Sequence, residues 1–307
     1  MEGLADVVGI GALNWDRLYV VDRFASAGEE IVIKEAREEA GGSAANTIAA
    51  LGRLGVECAF IGLVGDDPEG RAIADAFEKE GVDTCGLIRA EGRTGTVIAI
   101  VDGTGERTMY VHPGVNDLLS PEHLDSGLIA SARILHVSSF AGGDALETVI
   151  GLPGLMGGSK LSLAPGFLCQ RGLDFLDPLV ERAGLLFLNE EEASALTGLG
   201  PEEAAELLLD RGVETVAITL GRRGALAADR EGTVLAGAIE TRVVDTTGAG
   251  DAFAAGFLYG VLKGLPLAMC AELGNFTASR CVGRVGARSG LPGKGDVEGL
   301  LKERLSG

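Results

Sequence analysis

Cations, histidines and paired cysteines are what this chain has least of. Its 307 residues carry 26 Lys and Arg against 45 Asp and Glu, a formal net charge of −19. A surface of that sign repels nucleic-acid phosphate, and no Lys/Arg-rich run offers a local exception, so no nucleic-acid partner is expected. An anionic ligand would need a pocket built from backbone amides and a few cations. There are only three histidines (His112, His123, His136), with no H-E-x-x-H and no Cys/His cluster, which leaves no pattern for structural zinc. The five cysteines (Cys58, Cys85, Cys169, Cys270, Cys281) are odd in number and lack a C-x-x-C pair. They read as free thiols in a reducing compartment. The longest helix-like apolar stretch, Ala252 to Leu262, is too short for a bilayer and runs into Lys263, Gly264 and Pro266. Glu2 and Asp6 precede the first apolar run, against a secretory signal. The expectation is a soluble, cytoplasmic protein with no membrane partner. No G-x-x-x-x-G-K-[ST] occurs, which argues against a P-loop. Phe253 and Asn14 stand where a third glycine would complete G-x-G-x-x-G, so a dinucleotide fingerprint is missing too.

What is present is ordinary for a globular protein: 46% apolar and 23% charged residues, with 48 glycines in no fixed period. At ~150 residues per domain the length suits two domains, or one large α/β domain with an appendage. Strand-like runs at Val7–Leu13, Cys58–Val64, Ile134–Ser138, Leu161–Leu163, Leu185–Leu188 and Thr215–Thr219 alternate with helix-like ones. The latter lie at Ala44–Leu54, Gly70–Glu80, Ala145–Ile150, Leu173–Arg182, Pro201–Arg211, Asp251–Lys263 and Pro266–Val282. This alternation predicts a mainly parallel sheet covered by helices on both faces. Two regions break it. Leu18–Val21 with Glu30–Ile33, and Thr96–Val101 with Arg107–His112, read as two-stranded ribbons, the second turning at Asp102-Gly103-Thr104-Gly105. They would form either a lid or an antiparallel extension of the main sheet.

Five local patterns could carry chemistry. Asp245-Thr246-Thr247-Gly248-Ala249-Gly250-Asp251 precedes a helix, where small residues expose backbone N–H groups to an anion. Asp251, favoured as a carboxylate by the helix dipole, would either accept a proton from an attacking hydroxyl or cap the helix. Gly41-Gly42-Ser43-Ala44-Ala45-Asn46 also opens a helix, and its glycines and amide suit a polyhydroxylated ligand or a plain helix start. Asn14 and Asp16, at the end of the first strand, lie where open α/β sheets bind ligands, or in a hairpin turn. Asn189-Glu190-Glu191-Glu192 follows an apolar strand, where an amide and a carboxylate can hold hydrated Mg²⁺ or simply start a charged helix. Thr219-Leu220-Gly221-Arg222-Arg223-Gly224 could wrap a nucleotide, with an arginine near phosphate, or be a surface turn.

Taken together and in this order, these patterns resemble the ribokinase-like (phosphofructokinase-B) family of carbohydrate and nucleoside kinases, from about Val7 to Pro292. The N-terminal signature is carried by Gly41 to Asn46 with Gly52 and Gly55, the C-terminal one by Asp245 to Gly256, and the N-x-x-E motif by Asn189 to Glu192. The resemblance implies a three-layer α/β/α sandwich with a mainly parallel central sheet, spanning residues 1–307 as one kinase domain. Lid strands are expected from about 16–35 and 95–113, with a homodimer formed through the lid. It implies transfer of the γ-phosphoryl group of ATP to a hydroxymethyl group, with Mg²⁺. Asp251 would be the base, and the amides of Gly248, Ala249 and Gly250 the anion hole. Asn14, Asp16, Gly41, Gly42, Asn46 and Arg107 would hold the acceptor. Asn189 and Glu192 would organise phosphates and Mg²⁺ through water, while Thr219, Gly221, Gly224 and Asn275 would line the nucleotide site. Asp245, Thr247 and Ser289 would form a monovalent-cation site for K⁺.

Two positions depart from the best-known ribokinases. Ser43 follows the glycine pair where they carry Lys, and His136-Val137-Ser138-Ser139 ends a strand where they carry Glu. A sugar kinase is the leading expectation. A nucleoside kinase on the same scaffold, and a sugar- or nucleotide-binding regulator without catalysis, are the alternatives.

Overall fold

The computed structural model describes residues 5–104, 106–138 and 143–305. Its strands are β1 (Val7–Ile10), β2 (Asn14–Val20), β3 (Glu35–Gly41), β4 (Cys58–Gly65), β5 (Val82–Asp83), β6 (Leu87–Ala90), β7 (Gly95–Val101), β8 (Arg107–His112), β9 (Ile134–Ser138), β10 (Lys160–Ala164), β11 (Ala183–Asn189), β12 (Thr215–Thr219), β13 (Ala225–Asp229) and β14 (Gly232–Ala236). Its helices are α1 (Ser43–Arg53), α2 (Pro68–Lys79), α3 (Ser126–Ser131), α4 (Gly143–Gly151), α5 (Leu173–Val180), α6 (Glu190–Thr197), α7 (Pro201–Asp210), α8 (Ala249–Leu262), α9 (Leu267–Cys281) and α10 (Lys294–Leu305).

The large sheet runs β14-β13-β12-β11-β10-β9-β1-β4-β5, with β6 also on β4. It is parallel from β12 to β5 and antiparallel only where β13 and β14 finish the edge. Its central strands are buried on both faces; all eight residues of β4 are inaccessible. That is why they read as unbroken apolar runs rather than as alternation. Two apolar cores result, one on each face, the second gathering α1, α8 and α9. Helix α8 is apolar all round because it lies between the sheet and α9. The approach is close: a Cβ on Gly256 would come within 2.4 Å of the Leu273 carbonyl oxygen.

The two expected ribbons form one separate four-stranded sheet, β3-β2-β7-β8, and not an extension of the main one. β2 pairs with β7 in parallel, which joins the two antiparallel ribbons. Asn116 pins the chain where it leaves β1 for β2. Its Oδ1 accepts from Leu13 N at 2.8 Å, and its Nδ2 donates to Leu13 O at 2.9 Å. One boundary differs from expectation. The partner of β2 is Glu35–Gly41, not Glu30–Ile33. Val32 and Ile33 are exposed, so the apolar residues that suggested a strand bury nothing there. The charged segment Glu35–Glu39 pairs instead, because it runs straight into Ala40 and Gly41, the buried end of the same strand before α1. Of the expected ribbon turn, Gly105 lies outside the described residues, as does Ser139.

Candidate active site

Three helix starts, those of α1, α6 and α8, meet around one cavity, although only α6 follows a parallel strand, β11; α1 follows β3 of the small sheet and α8 a loop after β14. α1 begins after Gly42, whose φ of +107° a side chain would strain. α8 begins after Gly248, at φ +73°, where a Cβ would also lie 2.6 Å from that of Ala287. Gly248 is therefore required by the fold. Gly250 differs: a Cβ there would meet nothing within 4 Å. Its N–H and that of Asp251 have no partner among the described residues, whereas Ala249 N donates to Thr246 O at 3.2 Å. Of the three amides expected in the anion hole, Ala249 is thus already engaged in the local turn.

Asp251 does not cap its helix. Its carboxylate turns across to α1, where Ser43 Oγ donates to Oδ1 at 2.7 Å and Asn46 Nδ2 donates to Oδ2 at 2.9 Å. Burial pushes its carboxyl above the usual range, opposed by those two donors and by the Arg288 charge. Asn46 has both amide ends occupied, since its Oδ1 accepts from Arg288 Nε at 2.9 Å.

Two cavities lie here. The smaller, about 100 Å³, is walled by Ser43, Thr47, Asn189, Glu192, Thr219, Gly250 and Asp251, among others. Asn189 and Glu192 share a reciprocal cap: Glu192 N donates to Asn189 Oδ1 at 2.8 Å, and Asn189 N donates to Glu192 Oε2 at 2.9 Å. Burial raises the Glu192 carboxyl, against the Asn189 N–H bond that lowers it. One carboxylate oxygen of Glu192 stays outside this cap, as a water-bridged divalent cation requires.

The larger cavity, about 380 Å³, lies beneath the small sheet and includes Asp16, Arg37, Glu39, Arg107, Asp245, Thr247 and Ser289 in its wall. Asp16 is pushed up to about 7, first by burial and then by the Glu39 charge. Its carboxylate lies against Gly41, where a Cβ would come 2.0 Å from Oδ2. Asn14 sits opposite Gly41 on β3 and accepts from Asn116 Nδ2 at 3.1 Å. Arg107 reaches from β8 to the body, donating to Thr247 Oγ1 at 3.0 Å. Asp245 Oδ1 accepts from Thr247 N and Oγ1, and Oδ2 accepts from Gly286 N at 2.8 Å. These bonds hold its carboxyl below the usual range despite burial, which is the largest influence on it and acts upward. A carboxylate accepts about four bonds, so Asp245 keeps one position, and a K⁺ ion there would rely mainly on loop carbonyls.

The remaining nucleotide-side residues form a neighbouring cluster that lines neither cavity. Asn275 Nδ2 donates to Ala236 O and Gly237 O at 2.9 and 3.0 Å. Gly224 lies so near that a Cβ would fall 2.0 Å from Ala236 O. Gly221 stands in the same β12–β13 turn. Arg223 pairs with Glu190 at 2.6 Å, and so is tied to α6.

Sequence reasoning missed Glu39, Arg288 and the part played by Ser43. Glu39 Oε1 accepts from Ala287 N at 3.1 Å, and Arg288 is 8% exposed with neither Nη hydrogen-bonded among the described residues. Glu39 lies two residues before the Gly41-Gly42 pair that leads into α1, a position that could have flagged it. Arg288 lies in a loop with no pattern of its own.

Comparison with known proteins agrees with this geometry. The family model described as pfkB family carbohydrate kinase matches residues 4–294. An uncharacterized sugar kinase of Archaeoglobus fulgidus is 41% identical over 246 residues, 79% of this chain and 98% of that relative. An ATP-dependent ribose-1-phosphate kinase of Halopiger xanaduensis is 35% identical over 302 residues, covering 97% of this chain and 99% of the relative. The structure of Arabidopsis thaliana ribokinase complexed with ribose and ATP superposes with a TM-score of 0.87 at 25% identity, over 98% of this chain and 99% of that one.

Proposed function

The chain belongs to the pfkB family of carbohydrate kinases, and on that premise we propose that it transfers the γ-phosphoryl group of ATP to a hydroxymethyl group of a pentose. The observation that carries this is the Asp251 carboxylate. It is held by Ser43 and Asn46 at the wall of the small cavity, next to the free N–H groups that open α8. Phosphoryl transfer demands positioning and charge neutralisation more than covalent chemistry, and this arrangement supplies both. Asp251 accepts the hydroxyl proton as oxygen attacks phosphorus. The amides of Gly250 and Asp251 hold the transferring oxygens. Glu192, through water, would hold Mg²⁺, which when bound neutralises charge on the phosphates.

Asp16 and Arg107, across the larger cavity, would hold the acceptor. Arg107 meets a hydroxyl, whereas Arg17 and Arg37 on the same wall are paired with carboxylates. A guanidinium so placed favours an anionic acceptor, and the Halopiger xanaduensis relative makes ribose 1-phosphate the first to test. A nucleoside is the second reading, supported by the apolar roof that Leu18, Val97, Ala99 and Met109 of the small sheet provide. Met109, Tyr110 and Val111 leave an apolar edge on β8 that suits a homodimer through the small sheet. The five cysteines are unbridged, which fits the cytoplasm, and no helix among the described residues is long and apolar enough to cross a membrane.

A coupled ATP-turnover screen with Mg²⁺, with and without K⁺, tests the reading. The acceptors are ribose 1-phosphate, ribose, fructose, adenosine, inosine and cytidine. Turnover on a pentose is expected. Turnover confined to nucleosides would replace the first reading with the second.

A further inference from the structure

We propose that Arg288 is a positioning residue for the base, acting through Asn46; this rests on the reading of Asp251 as the base. The argument begins with Asn46. A primary amide has an accepting end and a donating end of nearly equal size, so its orientation is set only by its partners. Arg288 Nε can only donate, and it stands 2.9 Å from Asn46 Oδ1. The Asp251 carboxylate can only accept, so both partners select the same orientation, with the donating end on Asp251 Oδ2. A flipped amide would set N–H against N–H on one side and oxygen against carboxylate on the other.

The other surroundings of Arg288 are a ring and longer-range charges, with no further side-chain hydrogen bond among the described residues. Its guanidinium lies over the Phe77 ring, with the centroid 5.5 Å away, and its two Nη groups lack hydrogen-bond partners among the described residues. Its charge is opposed at longer range by Glu39, Glu80, Asp16 and Asp251. A buried cation so poorly bonded is weak evidence for stability, and an apolar side chain of similar volume often does as well or better. Beyond a charge that acts on Asp251 at longer range, what Arg288 supplies that an apolar residue cannot is a fixed donor at the Nε position. That donor makes Asn46 a one-way connector between the 281–289 loop and the base, 37 residues apart in sequence.

Two substitutions separate the donor from the bulk and the charge. In Arg288→Gln the amide nitrogen falls where Nε stood, so the donor is kept and the charge lost. In Arg288→Met a methyl falls there. We expect Arg288→Gln to retain kcat within about threefold of the parent. Arg288→Met should lose about 10- to 100-fold in kcat, the scale of a misplaced catalytic group, with the KM for ATP changed much less. Arg288→Met added to Asn46→Ala should cost nothing further, because the path is already cut. Thermal melts report folding of each variant. If Arg288→Met does not fold, Arg288→Gln against Asn46→Ala decides the matter. Equal losses in the Gln and Met variants, or losses that multiply in the double variant, overturn the proposal. Full turnover in Asp251→Asn overturns the base assignment itself, and a dead Asp251→Asn beside a fully active Arg288→Met overturns the Arg288 proposal alone.

Discussion

Ser43 Oγ lies 2.7 Å from Asp251 Oδ1, a bond between residues 208 positions apart that joins the start of α1 to the first turn of α8. Ser43 is a neutral donor at the position where the family resemblance leads one to expect lysine. Asp251 is therefore held by two uncharged side chains, with Arg288 as a more distant cation.

Removing the proposed base and removing its holder should differ in degree. Asp251→Asn keeps the shape and loses the proton acceptor, and a fall in kcat of several orders of magnitude is expected, with little change in ATP affinity. Ser43→Ala should cost about 10-fold, as loss of one charge-assisted bond does. Steady-state kinetics with calorimetric ATP titration reads both; equal effects would contradict the division of roles.

The two glycines of the α8 turn should respond oppositely. Gly248→Ala forces a side chain into positive φ and against Ala287, and should lower the melting temperature by several degrees. Gly250→Val should melt normally, since the added atoms enter open space, yet weaken ATP binding by covering the exposed amides. Normal ATP affinity in folded Gly250→Val would remove the anion-hole reading.

Asp16 makes the ligand-free protein pH-sensitive. Its carboxyl is raised from 3.8 to about 7 by burial and by Glu39. In the folded chain it therefore holds a proton that the unfolded chain has released. Its contribution to stability is complete below pH 4 and declines as pH rises to about 7. Urea unfolding at pH 4.5 and 7.5 should show Asp16→Asn gaining stability relative to the parent at the higher pH. A pH-independent difference would mean that Asp16 is ionised throughout.

Arg107 should discriminate among acceptors. Arg107→Ala should raise KM for a phosphorylated pentose at least 10-fold more than for its neutral counterpart, because only the former loses a charge partner. Equal increases would indicate a hinge role, through the Thr247 contact, instead of charge recognition.

Most of the sheet and both glycine turns were legible because buried parallel strands need unbroken apolar runs, and helix starts that meet ligands need small residues. Cys58–Gly65 and Gly248–Asp251 carry those marks in their own composition. Glu35–Gly41 does not. Its pairing is decided by β2 and by its own buried end at Ala40-Gly41, whereas the more apolar Glu30–Ile33 lies exposed.

The same division holds at the site. Local composition by itself determined which segments could approach a phosphate and where a carboxylate would stand at a helix start. It could not determine that Asp251 faces Ser43 and Asn46 rather than its own helix end, or that Asn46 stands between Arg288 and Asp251. Those are relations between side chains brought together only when α1, α8 and the 281–289 loop converge. An amide's direction and a carboxylate's partners depend on groups distant in sequence, so only the tertiary structure decides them.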